Sequence, residues 1–516
     1  MEETMERRMQ PGSKVCCPRR RPVRPNLRPT GPRKNLNPKN ASAKALNQET
    51  TPTRHRVLAL PDDVLSQVFE YVCQPDLDPI SNPRWRRTSY PLWLGKVCRA
   101  WRECAWATSE IWTTIIVRIS THNLGVQTDI LREWLERAKG RPLDVYIEQS
   151  TGRLSPTWRV DVRLLLSLLT GHSEQWRRIG LYHLFQYEFF FRTIPIPGLS
   201  LPLLRHASIG HGENEILAKF EVNLKAAPLL QTLSLSNFTF NNPDYLSSYP
   251  TDQITRLFLS SSIQIDLNDL LSRFPELREL TWSKCQCFNL QPTIHEGLEF
   301  LDVDFGIESS PGTFFYQLSL PTLKSLSLRI SKPFQYTTRL EYISPCFQKG
   351  CSLTQLTLEC QMTSTYENDL INLLSSEPIS SSLTELRIRD LNFRIGKVHV
   401  PEQGTQWGLS QIFFDHLYTQ TFPNFLPNLE VLEYEGQLTV QTLDFINPLM
   451  IRSGALPESS AGSASGIAAL RRATITADQK NYSISGLLDA QYLWEIISLV
   501  EAGLLVLVNM DGTTWV

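Results

Sequence analysis

One spacing recurs down most of this chain: apolar, two residues, apolar, one residue, apolar. It reads "WRRIGL" at 176, "LRHASI" at 204, "LQTLSL" at 230, "ITRLFL" at 254 and "LRELTW" at 277. It continues as "LEFLDV" at 298, "LKSLSL" at 323, "LTQLTL" at 353, "LTELRI" at 383, "LEVLEY" at 429 and "LRRATI" at 470. An earlier unit, "PLDVYI" at 142–147, follows an amphipathic helix pattern, "TDILREWLERAKG" at 128–140. Intervals between the later units run 28, 26, 24, 23, 21, 25, 30, 30, 46 and 41 residues. The shorter ones lie in or near the 20–29-residue range of leucine-rich units. Each unit predicts a short strand whose leucines share one side. A helix or irregular return must then carry the chain back. One unit cannot cover its own apolar face, so units stack into a solenoid. The predicted fold class is α/β: a short helical unit, then an irregular solenoid with a curved parallel sheet and helices or loops on the convex side.

The two long intervals hold "RIGKVHVPEQGTQWGLSQIFFDHLY" and "PESSAGSASG". The first predicts an extra loop and a longer helix; the second, small and polar, predicts a flexible loop. Near the end, "DAQYLWEIISLVEAG" predicts a helix and "LLVLVN" a strand that caps the last unit. Strand alternation turns the residues between the leucines to the outer, concave face. They are Glu279, Thr281 and Ser283; Phe300, Asp302 and Asp304; Ser325, Ser327 and Arg329; Gln355, Thr357 and Glu359; Glu385, Arg387 and Arg389; and Val431, Glu433 and Glu435. This row is polar and mixed in sign. It suits a peptide or protein surface, or a solvated sheet face. Candidate substrate contacts are Glu279, Thr281, Phe300, Asp302, Asp304, Arg329, Glu359, Arg387, Arg389 and Glu433.

A different pattern stands in front of the repeats. In "VLALPDDVLSQVFEYV" (57–72), Val64, Leu65, Val68, Phe69 and Val72 recur at helical spacing. Pro61 suits the first helical position, and Asp62 and Asp63 favour the helix dipole. A second helix fits "LWLGKVCRAWRECA" (92–105), with Leu94, Val97, Cys98, Trp101 and Ala105 on one face. "SEIWTTIIV" (109–117) closes the unit with Trp112. So small a core leaves apolar surface for a partner.

"LPDDVLSQVFEYV", then "VCRAWRECA" and "IW", resembles the F-box, and the stretch "PLWLGKVCRAWRECAWATSEIW" resembles the form found in large fungal families. The resemblance covers about 57–116. It implies that the segment docks on the adaptor subunit of an SCF-type ubiquitin ligase and, through it, a cullin. By position, Leu60, Pro61, Val64, Leu65, Val68 and Phe69 match the adaptor-binding helix. Val97, Cys98 and Trp101 match the second conserved helix. The irregular repeats resemble the degenerate leucine-rich repeats of F-box proteins. The chain would then be a non-catalytic, substrate-recognising subunit. The alternative is a scaffold without a ligase link, in which 57–117 caps the solenoid. About 20 residues, "CQPDLDPISNPRWRRTSYPL", separate the two helices, more than the usual F-box has there. Their polar, proline-rich character predicts a surface loop.

Composition divides the chain further. The 516 residues are 41% hydrophobic and carry a formal charge of −1. Residues 1–56 hold 14 Lys/Arg, 4 Asp/Glu and eight prolines, a balance of +10. That composition predicts a disordered tail, with "RRRPVR" (19–24) as a nuclear import signal, a weak polyanion contact or merely a solvated stretch. The expected divisions are the tail (1–56), the helical unit (57–117) and the solenoid (118–516). No secretory signal or membrane-length apolar run is read, and the ten cysteines lack a framework spacing. These features favour cytoplasm or nucleus, which would leave the sequons at Asn40, Asn237 and Asn481 as chance matches.

Motifs of catalysis fail on spacing. Asp302 and Asp304 share one face of one strand, not opposite sides of a cleft. Cys285 and Cys287, and Cys346 and Cys351, lack zinc-finger spacing. "HEGLE" at 295 lacks the second His of a zinc protease, and "GHGEN" at 210 lacks the Gly-Lys of a phosphate loop. The expectation is no cofactor, no metal, no catalysis, no membrane and no nucleic-acid partner.

Overall fold

The computed structural model describes residues 60–73, 90–119, 124–149, 158–184, 199–211, 223–238, 243–262, 265–288, 291–306, 311–315, 318–331, 340, 343–347, 351–391, 408–418, 422, 424–438, 442–453, 468–477, 490–509 and 513–514. The basic tail, the loop 74–89, the "PESSAGSASG" segment and the sequons at Asn40 and Asn481 lie outside these residues.

Three helices come first: α1 (Asp62–Cys73), α2 (Tyr90–Val97) and α3 (Arg99–Ala107). A 3₁₀ turn at Ser109–Trp112 leads into strand β1 (Thr114–Ile119). Helix α4 (Leu124–Ala138), β2 (Leu143–Gln149), α5 (Trp158–Thr170) and β3 (Trp176–Leu184) follow. Then come β4 (His206–His211), β5 (Thr232–Ser236), β6 (Arg256–Ser260), β7 (Glu279–Ser283), β8 (Phe300–Phe305) and β9 (Ser325–Ile330). The last strands are β10 (Gln355–Cys360), β11 (Glu385–Asp390), β12 (Val431–Glu435), β13 (Arg472–Thr476) and β14 (Leu505–Val508). All fourteen form one sheet in chain order, every neighbour parallel. The fold is an α/β solenoid, and every repeated unit quoted above supplies a strand.

Register explains why such irregular spacing still stacks. Leu257 faces Leu280, which faces Leu301, then Leu326, Leu356, Leu386 and Leu432. All of these are buried. Insertions of different length fall between strands, so the inward leucine row never breaks. A one-residue slip would turn every leucine outward, which makes the register strongly specified.

Where leucine-rich units commonly place Asn or Cys after the strand, this chain uses a short ladder of hydroxyl and thiol. Phe238 N–H reaches Ser262 Oγ at 3.4 Å, and Ser262 N–H reaches Cys285 Sγ at 3.4 Å. The turns before these residues carry Asn237, Ser261 and Lys284 at φ 58°, 50° and 53°. This left-handed corner thus recurs in three consecutive units. Its buried N–H groups need acceptors, and Cys285 serves as one. Burial pushes its thiol up to about 12, which suits a structural rather than a reactive sulfur.

Four boundaries differ from expectation. Helix α1 begins at Asp62, and the Pro61 carbonyl accepts its first bond from Leu65 N–H at 3.0 Å, so Pro61 is the cap. The helix expected over 92–105 is two helices broken at Cys98, whose backbone is extended and whose sulfur accepts from Trp101 N–H. Thr114–Ile119 pairs with β2 instead of closing the helical unit, so the boundary expected at 117 falls inside β1. The "longer helix" after 394 spans only Gln411–Leu417, residues 392–407 being outside the described set. In each case the sequence has apolar periodicity, but local hydrogen bonding or sheet pairing fixes the ends.

Candidate functional site

The helical unit has an inner and an outer side. Leu65 and Phe69 stand four apart on α1 and are buried. The Phe69 ring meets Trp101 edge-on, with centroids 5.1 Å apart. Ser66 hydrogen-bonds Thr108 at 2.9 Å, which holds α1 on α3. Trp106 covers Gly95, where a Cβ would lie 3.1 Å from the ring, and Arg102 Nε donates to the Gly95 carbonyl at 2.7 Å. The unit is also fastened to the solenoid. Trp112 Nε1 donates to the Ala105 carbonyl at 2.8 Å, and its ring meets Trp134 of α4 at 4.7 Å. The Arg137 guanidinium lies over both Trp106 and Trp112, at 5.0 and 4.7 Å from the centroids.

The outer side remains apolar and open. On α1, Leu60 at its start and Val64, Val68, Tyr71 and Val72 are exposed; on α2, Trp93 and Val97 are 64% and 60% exposed. Of the nine adaptor candidates, Leu60, Pro61, Val64, Val68 and Val97 are exposed. Leu65 and Phe69 belong to the unit's own core, which removes them as direct contacts. Cys98 is a helix cap and Trp101 a half-buried packing residue. A single apolar stripe therefore splits into an inner line (65, 69) and an outer line (60, 64, 68). Tyr71 and Trp93 join the outer side without being singled out in the sequence. The signal for Trp93 is its four-residue spacing from Val97 on α2.

The second candidate is the outer sheet face. In-register stacking arranges its side chains into rows across the strands. From β8 to β12 one row reads Asp304, Arg329, Glu359, Arg389, Glu435. Its signs alternate, and neighbours pair: Arg329 with Asp304 at 4.0 Å and Glu359 at 2.5 Å, and Arg389 with Glu359 at 2.8 Å and Glu435 at 3.7 Å. Beside it Arg387 pairs with Glu433 at 3.4 Å and also with Glu385. Glu359, expected in solvent, is only 4% exposed because the two arginines close over it. Burial opposes its charge, yet the hydrogen bonds and charges of Arg329 and Arg389 hold its carboxyl below the usual range. Thr281, also expected in solvent, is buried. The remaining sequence candidates, Glu279, Phe300, Asp302, Asp304, Arg329, Arg387, Arg389 and Glu433, are exposed or half-buried on this face. Alternation was legible as the third residue of each outward triple, but only the shared register makes it a ladder.

Among the described residues no group of three or more His, Cys, Asp or Glu is placed to hold a metal, and no helix is long and apolar enough to cross a membrane. Asp302 and Asp304 lie on one strand within the charged rows, not across a cleft.

Comparison with known proteins adds little. No family model matches, and no curated protein matches. A solved structure from Bacteroides fragilis, a structural-genomics target, is similar over 61% of this chain and 88% of its own, with 12% identity and a TM-score of 0.32. A likeness of that size carries no inference about fold or function.

Proposed function

We propose that this chain is a substrate-recognition subunit of an SCF-type ubiquitin ligase: the outer side of α1 and α2 binds the adaptor, and the sheet face binds a protein substrate. One observation supports it most: an apolar helix side, Leu60–Val64–Val68, left open on a unit whose core is already closed by Leu65 and Phe69, with Trp93 and Val97 of α2 also exposed. Open apolar side chains at helical spacing suit a helical partner. The resemblance of this segment to the F-box supplies the partner's identity. The chain itself would contribute proximity, raising the effective concentration of substrate near the transfer machinery.

The test is capture of the adaptor subunit by the full chain. Val64→Asp with Val68→Asp should abolish capture, since truncating a central anchor alone costs about 2 kcal/mol or more, roughly thirtyfold. The unfolding midpoint should stay unchanged, because both side chains point away from the core. Failure of the unaltered protein to capture the adaptor would sink the proposal. A second reading, a scaffold whose helical unit caps the solenoid, is favoured by the Trp106–Arg137–Trp112 fastening. It then takes first place.

A further inference from the structure

The charged rows have a surplus of one sign. Strands β8 to β12 present Asp302, Asp304, Glu359, Glu385, Glu433 and Glu435 against Arg329, Arg387 and Arg389, six carboxylates to three guanidinium groups, a balance of −3. Each arginine already lies between two carboxylates. The face therefore has acceptors to spare and no uncommitted arginine. An acidic partner would have to break these pairs; a basic one would complete them.

The surplus is concentrated at β8. Asp302 makes no ion pair with a described residue, and its register neighbours, Thr281 and Ser327, are short. Its carboxylate accepts a hydrogen bond from Ser327 and stays partly open to solvent. Asp304 has one long ion pair, to Arg329 at 4.0 Å, and otherwise accepts only neutral hydroxyls, Ser283 Oγ at 3.3 Å and Ser331 Oγ at 3.5 Å. Phe300, two residues away on the same side of the strand, is 45% exposed, with Ser325 as its β9 neighbour. An aromatic ring beside the Asp302 carboxylate is a fitting seat for a guanidinium or ammonium, which gains from the ring face and the anion together. Partial burial on the sheet, with Asp304 and Glu359 nearby, holds the Asp302 carboxyl above its ordinary range despite Ser327 and Arg329. Such a group gains from an added cation.

We propose that the β8 end of this face binds a basic segment of a partner protein, with one Arg or Lys side chain over Phe300 against Asp302 and a second at Asp304. The inference rests on reading the outer face as the partner surface, and it deepens that reading by giving the partner a chemistry. The probe is a fluorescent peptide of Arg, Lys, Gly and Ser, titrated with the full chain and followed by anisotropy, beside a peptide with Glu and Asp in the basic positions. The basic peptide should bind, more weakly as salt rises, and the acidic one should not. Asp302→Asn with Asp304→Asn should weaken binding about tenfold or more, and Phe300→Ala about threefold. Asp129→Asn with Glu136→Gln removes equal charge from the exposed side of α4 and should change nothing. Unfolding midpoints of all variants are compared with the unaltered chain, so that a loss of fold is not read as a loss of contact.

Several outcomes overturn the proposal: equal binding of both peptides, no effect of the double change on β8, or an equal effect of the change on α4. Self-association that the β8 change abolishes would make a second copy the occupant and overturn it too. Adaptor capture is measured on the same samples. Capture without peptide binding overturns this inference alone. Peptide binding without capture overturns the ligase reading and leaves this one standing.

Discussion

The two halves of the outer sheet face are built on one backbone plan and differ in chemistry. Take the second and third outward rows. From β3 to β7 their ten positions are Gly180, Ser208, Ser234, Phe258 and Thr281, then Tyr182, Gly210, Ser236, Ser260 and Ser283, without a charge among them. From β8 to β12 the equivalent ten include eight charged residues. In the first half, close packing makes the surface: Tyr146 and Tyr182 lie over Gly180, where a Cβ would come within 2.6 Å of either ring. In the second half, alternating charge makes it. A solenoid can change its surface chemistry abruptly because each strand answers only to its neighbours.

The inner leucines should be indifferent to this division. Leu233→Ala and Leu326→Ala, both fully buried, should each cost about 2–5 kcal/mol in urea unfolding. A large disparity would mean that the halves differ in core as well as in surface. The next effect should separate them. Glu359→Gln removes the shared acceptor of Arg329 and Arg389 and should cost about 1–3 kcal/mol, reduced because both arginines keep some solvent. An effect near zero would make the ladder ornamental to stability.

In the first half, Gly180→Ala should cost about 1–3 kcal/mol through displacement of the two tyrosines. Thr357→Ala, the equivalent row in the second half, should cost about 0.5 kcal/mol or less. Equal costs would erase the distinction between packed and charged surface.

Acid should distinguish the halves by window. Burial and nearby Arg178 depress His206 to about 4 from the ordinary 6.5. It stays neutral when folded and takes a proton when unfolded. Its contribution is present above pH 6.5 and fades as pH falls toward 4. Glu359 is held below the ordinary 4.5, so its contribution is present above that value and fades only below it. Midpoints measured against pH should therefore lose the upper slope in His206→Gln and the lower slope in Glu359→Gln. Swapped windows would refute the assignment.

Much of this was legible without coordinates. The leucine spacing located every repeated strand, because inward burial demands a fixed register whatever the insertion between strands. It could not show that Leu65 and Phe69 are core while Val64 and Val68 are surface. All four are apolar and near one another on the helix, and only the position of α3 divides them. Nor could spacing separate α2 from α3: Cys98 looks like a stripe member until its sulfur is seen capping the Trp101 N–H. Thr114–Ile119 looked like the end of a helical unit because a lone "TTIIV" has no partner in sequence; β2 supplies it. The burial of Glu359 was invisible for the same reason, since it depends on arginines 30 residues away on either side.

The clamp of Arg137 between Trp106 and Trp112 has a mechanical consequence. It fixes the helical unit to α4, whose chain continues directly into β2. From there the sheet is a ruler. With strands about 4.8 Å apart, a ligand at β8 sits about 34 Å along the stack from β1, and one at β12 about 53 Å. Whatever grips α1 and α2 would hold a sheet-bound molecule at a distance counted in whole strands. Inserting or deleting one repeat would then change reach in discrete steps while leaving both gripping surfaces untouched.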